Sequence, residues 1–143
     1  MNLSQKMLAA QKSGDYANLI REIPYAATLG MECETFGKEV VFRLPRNDTN
    51  LGNPILPAIH GGVIGGFMEM AAAFYLMMSQ DAPRFPRIVD FSLDYLRAGL
   101  DRETFAECLL TRQGNRVANV TVSAWQSSRQ SPIATARAHF IIR

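Results

Sequence analysis

The chain has 143 residues, 48% hydrophobic and 20% charged, with a formal net charge of +2. That length suits one compact domain with a globular balance, able to bury roughly 68–70% of its unfolded surface. The small charge and the lack of a basic run exclude a nucleic-acid-binding surface, and Cys33 and Cys108 have no metal-ligand spacing and read as buried, reduced thiols.

The opening "MNLSQKMLAAQKSGDY" lacks the continuous apolar core of a signal peptide, so a cytoplasmic protein is expected. Residues 3–13 read as a helix broken at Ser13-Gly14-Asp15. Asp15 can cap a second helix through about Glu22, which Pro24 ends. This makes an N-terminal helical segment of about residues 1–24. "MECETF" and "KEVVFRLP" read as two short strands joined at Gly37-Lys38. Residues 45–59 are rich in Asn, Pro, Gly and Asp and form a long loop, of a kind that tends to be functional.

From 60 to about 79 the pattern is helical and apolar nearly all round, which predicts a helix covered on most sides. His60, Gly61 and Gly62 open it, and Glu69 is the only charged residue inside. A membrane span needs about 20 apolar residues, so this segment reads as a core helix. "SQDAPRFPR" terminates it. In "RIVDFSLDYLR", Val89, Phe91, Leu93 and Tyr95 share one face, and Asp90, Ser92 and Asp94 share the other. "ETFAECLLTRQ", the turn Gly114-Asn115, "RVANVTVSAWQ" and "PIATARAHFII" follow, joined by short turns into an antiparallel meander. Strands, one long buried helix, then strands make an α+β domain spanning residues 1–143.

That order, together with four segments, resembles the hotdog fold, a long central helix wrapped by a curved antiparallel sheet. Within it, the chain resembles the acyl-CoA thioesterases of the phenylacetate-degradation (PaaI-like) type. The segments are "IPYAATLGMEC" at 23–33, "HGGVIGGFMEM" at 60–70, "DFSLDYLRAG" at 90–99 and "GNRVANVTVSAW" at 114–125. The resemblance covers roughly residues 20–143 and implies hydrolysis of an acyl-CoA to a free acid and CoA, without a cofactor.

The chemistry at 60–70 follows from helix physics. A helix start carries unpaired N–H groups and partial positive charge, and glycine lets a ligand approach them. A thioester carbonyl at the Gly61 amide would have its developing charge stabilised, and the resemblance implies this role for Gly61. Gly62 is a substrate contact, while Gly65 and Gly66 read as packing glycines. Glu69 can attack the carbonyl or activate water, and its apolar setting raises its pKa. The alternative for Glu69 is an ion pair with an arginine. Eight residues of helix separate Gly61 from Glu69 by about 12 Å, so both cannot reach one carbonyl. The acid must come from a second subunit, which predicts a homodimer; the resemblance implies that the dimers pair further into a dimer of dimers.

His60 is expected to orient the loop or cap the helix rather than act as a base. His139 is expected on a strand surface. The resemblance implies an upstream amide near the carbonyl, with Asn53 preferred over Asn50. It also implies a hydroxyl one turn after the acid, where this chain has Ala73. Arg97, Arg112 and Arg116 are candidates for the CoA phosphates, and Phe67, Met68 or Phe74 for the acyl pocket. No nucleic-acid or membrane partner and no metal site are expected. Two other readings stand beside hydrolysis: a non-catalytic acyl-CoA binder, and a hydratase, for which no His-Asp pair is evident.

Overall fold

The computed structural model describes residues 1–142. At its centre lies the helix α4 (Gly61–Met78), whose Phe67, Met68, Phe74, Leu76 and Met77 are fully buried. A six-stranded antiparallel sheet covers it, in the order β1-β2-β6-β7-β8-β5. The strands are β1 (Glu32–Phe36), β2 (Glu39–Leu44), β5 (Arg87–Tyr95), β6 (Thr104–Gln113), β7 (Val117–Trp125) and β8 (Ala134–Ile141). The sheet's inner face is paved with small residues. Ala106, Ala124 and Ala134 lie opposite one another across β6, β7 and β8, all fully buried. Small side chains on the sheet leave room for large ones on the helix, which is how the interior reaches close packing. Phe74 of the helix also meets Phe42 of β2 edge to face at 6.1 Å. This is the expected α+β arrangement of one long helix laid against an antiparallel sheet.

Three expectations are corrected. The last four strands are not one meander: β6, β7 and β8 are, but β5 crosses to the far edge and pairs with β8. On β5, Ile88 faces Phe140 and Asp90 faces His139, so Val89 is the extra residue of a bulge and leaves the row of Phe91, Leu93 and Tyr95. The second helical stretch does stop at Glu22, before Pro24, but the helical segment does not end there. Pro24 opens a further helix, α3 (Pro24–Leu29), at its first turn, where proline's missing N–H leaves no bond unmade. The segment therefore comprises α1 (Leu3–Ser13), α2 (Tyr16–Leu19), a 3-10 turn (Ile20–Glu22) and α3.

The other local expectations hold. An Asn2–Gln5 capping box starts α1, and Asp15 caps α2. Gly37 turns β1 into β2 at φ 65°, a left-handed conformation that favours glycine. The loop at 45–59 carries a 3-10 turn (Asp48–Asn50) and a small ribbon of β3 (Leu51–Asn53) and β4 (Ala58–Ile59). Both cysteines are free thiols; Cys33 is buried as expected and burial pushes its pKa up to about 12, whereas Cys108 is only partly buried. Among the described residues, α4 alone is long and apolar enough to cross a membrane, and most of it is buried inside the fold.

Candidate active site

The start of α4 is clamped from two sides. The Ile59 amide donates to the Gly99 carbonyl at 2.8 Å, and the His60 amide donates to the Asn50 carbonyl at 2.8 Å. A methyl group on Gly52 would stand 2.7 Å from the His60 Cα, so glycine there is what lets β3 lie against the helix start. His60 is the N-cap residue: its ring Nδ1 accepts from the Gly62 amide at 2.9 Å. This is the orienting role expected of it, and it engages the Gly62 amide. The Gly61 amide donates to no acceptor among the described residues. It lies at the positive end of an 18-residue helix, a position suited to an anionic oxygen.

Tyr95, at the end of β5, fixes the same turn. Its hydroxyl donates to the Gly61 carbonyl at 2.6 Å. A methyl group on Gly61 would stand 3.1 Å from that hydroxyl, so glycine also serves this contact. Gly65 and Gly66 are packing glycines, as expected, the former against Leu93 and the latter against Tyr25.

Glu69 lies eight residues further along α4, half-buried. It lines a groove of about 720 Å³ whose apolar walls include Ile23, Tyr25, Met70 and Phe85. Lys6 and Glu22 also line the groove and pair with each other at 2.5 Å. Desolvation raises the Glu69 carboxyl above the usual carboxylate range. No hydrogen bond or ion pair holds Glu69 among the described residues, so the alternative of a paired helix acid does not describe it. Ala73, one turn on, is buried.

The remaining candidates separate. Asn53 is exposed, and its Oδ1 accepts from the amides of Ile55 and Leu56 at 3.0 and 3.2 Å, so it closes a local turn. Asn50 is the buried one. Its carbonyl holds His60, and its Nδ2 has no partner among the described residues. Arg97 follows Tyr95 near the start of α4, beside Arg102, Gln126 and Ser131. Arg112 and Arg116 lie at the opposite end of β6, about 25 Å away along the strand. The three arginines therefore do not converge within one chain. Phe67, Met68 and Phe74 are fully buried core, not pocket walls. His139 lies on the outer face of β8, 3.7 Å from Asp90.

Sequence reasoning assigned no site role to Tyr95, Tyr25 or Phe85. The alternation of its strand placed Tyr95 only on the face shared with Phe91 and Leu93, and it remains largely exposed. Tyr25 and Phe85 reach the groove by tertiary packing and carry no local signal.

Residues 56–133 match the family described as the Thioesterase superfamily. Over 137 residues the chain is 30% identical to the medium/long-chain acyl-CoA thioesterase YigI of Escherichia coli, covering 86% of this chain and 88% of that one. A solved structure from Chromobacterium violaceum is 41% identical, covers 97% of both chains and superposes with a TM-score of 0.79. A Bacillus halodurans protein solved with CoA shares the fold at 17% identity and a TM-score of 0.76, covering 100% of this chain and 95% of that one.

Proposed function

Because the chain belongs to the thioesterase superfamily, we propose that it hydrolyses acyl-CoA thioesters to a free acid and CoA, at a site built by two copies of the chain. One observation carries this reading. The uncommitted Gly61 amide and the unpaired, desolvated Glu69 lie on the same helix, about 12 Å apart. Each is half of an acyl-transfer site, and two antiparallel copies of α4 would bring opposite halves together.

In that site the thioester oxygen sits at the Gly61 amide of one copy, which stabilises the charge that develops as the carbonyl carbon is attacked. Glu69 of the second copy drives the attack, directly or through a water from which it removes a proton. The C–S bond breaks, and CoA leaves as the thiol once protonated. The exposed edge of the sheet supports the pairing: Val89, Tyr95 and Leu96 stand at or beside the free edge of β5, an apolar border that a second sheet could cover. The E. coli relative supports a medium- or long-chain acyl group, and the apolar Glu69 groove supports the same. Arg97, at the Gly61 end, is the candidate for a CoA phosphate.

A second reading, an acyl-CoA binder without turnover, is favoured by Ala73, which supplies no hydroxyl beside the acid. The deciding experiment is thiol release from a panel of acyl-CoAs by the native protein and Glu69→Gln. Hydrolysis by the native protein and a loss of about 100-fold or more in the folded variant supports the enzyme. Binding of acyl-CoA with no thiol release by either protein makes this a binder.

A further inference from the structure

We propose that the Tyr25 hydroxyl positions the attacking water beside Glu69, in place of the hydroxyl that Ala73 lacks. This rests on the thioesterase reading above, and it assigns a role to a residue outside α4.

Three observations carry it. First, Tyr25 and Glu69 line the same groove. Tyr25 is on α3, and its ring lies on α4 at Gly66, one helical turn before Glu69 and on the same face. Second, the placement depends on Gly66. A methyl group there would stand 2.6 Å from the Tyr25 hydroxyl oxygen and within 3.2 Å of the ring carbons bearing it. A glycine inside a helix is unfavourable by roughly 1 kcal/mol relative to alanine, so its presence calls for a reason. Seating Tyr25 is that reason. Third, the hydroxyl is uncommitted. The polar side chains lining the groove are Lys6, Glu22, Tyr25 and Glu69. Lys6 and Glu22 pair with each other, and Tyr25 donates to nothing among the described residues. Among the described residues lining the groove it is the one hydroxyl, and it has no partner.

No direct hydrogen bond joins Tyr25 to Glu69, so the link runs through the water. A water between them gives one proton to the Glu69 carboxylate and hydrogen-bonds to the Tyr25 oxygen with the other. Its lone pair is then left facing the carbonyl carbon. The water is the nucleophile of the route in which Glu69 acts as base; a Glu69 bound up in an anhydride by direct attack would have no carboxylate left to take the proton, so the proposal belongs to the water-activated route. Tyr25 gains and loses no proton, and is a positioning residue.

The test is steady-state thiol release from decanoyl-CoA and palmitoyl-CoA by the native protein, Tyr25→Phe, Gly66→Ala, the double variant and Glu69→Gln. Thermal unfolding and oligomeric state are measured on each. Tyr25→Phe keeps the ring, so its fold and KM should match the native protein, while kcat falls about 10–100-fold. Its acidic pH limb should stay in place, because Glu69 is untouched. Gly66→Ala should lower kcat by displacing Tyr25, and the double variant should be no slower than Tyr25→Phe, since both changes remove one function. A native kcat in Tyr25→Phe, or a loss confined to KM, overturns the proposal. If Glu69→Gln is then still inactive, the thioesterase reading survives without it. A native protein that releases no thiol from any acyl-CoA overturns both.

Discussion

Glu69 stands in a mostly apolar groove and has no ion pair or hydrogen bond among the described residues, so its charged form is desolvated without compensation. A base in that condition loses function as it becomes protonated, above the usual range for Glu. The acidic limb of the kcat/KM profile should therefore have its midpoint above about 4.3, and should vanish in Glu69→Gln. The same shift has a sign for stability. A carboxyl raised in the folded state is favourable below its unfolded pKa and loses that contribution as pH rises through the folded one. Glu69→Gln should thus melt at a higher temperature than the native protein at neutral pH and at the same temperature in acid. Equal melting at both would remove the desolvation argument. His60 makes a different prediction. Its ring caps α4 through the Gly62 amide. His60→Ala should lose about 0.5–2 kcal/mol of stability, and His60→Asn, a good capping residue, should recover it. Recovery of activity along with stability would identify the cap as the whole role of His60. Recovered stability without activity would make the ring part of the chemistry.

The helix and the sheet meet through a division of size, with phenylalanines and methionines on α4 and alanines on β6, β7 and β8. Enlarging the floor should be felt at once. Ala124→Leu forces side chains out of the row Ala106–Ala124–Ala134 and should cost about 1–3 kcal/mol in chemical denaturation, with the midpoint lowered. An unchanged midpoint would mean that helix and sheet are not packed to contact. These elements could be read from the chain itself because their signals are local: an apolar run for α4, and alternation for β5 and for Ala118, Val120, Val122 and Ala124 of β7. What could not be read depends on partners distant in sequence. The bulge at Val89 exists only against β8, and the edge position of β5 follows from which strand it pairs with, not from its own residues. Pro24 looked like a stop because it can serve either as one or as a helix's first residue; the packing around it decides. Among the candidate site residues, Gly61, His60 and Glu69 were visible in one short stretch. Tyr95 and Tyr25 enter only because the fold folds them back onto its glycines, and the three arginines part company because β6 is long.

One copy of this chain holds the proposed carbonyl-binding amide, Gly61, and the proposed acid, Glu69, on one helix, too far apart to share a substrate. If each site takes Gly61 from one copy and Glu69 from the other, defects in the two should complement each other. Gly61→Pro is a suitable partner for Glu69→Gln. Proline lacks the N–H, is accepted at the first helical position, and follows a residue at φ −60°, ψ 132°, which suits the position before proline; its Cβ also crowds the Tyr95 hydroxyl at 3.1 Å, so thermal unfolding of the variant must first show a native fold. Each homodimer should lose about 100-fold or more of the native kcat. In a mixed dimer both defects fall in one site, and the other site is intact. Unfolding and refolding the two variants together at equal amounts should form mixed dimers as about half of the population, restoring about a quarter of the native activity. A dimer-disrupting charge at the β5 edge, Val89→Lys, should abolish that recovery and the native activity together, with sedimentation reporting monomers. If the mixture stays as inactive as its parts while mixed dimers are present, each site takes both groups from a single chain, and the shared site is wrong.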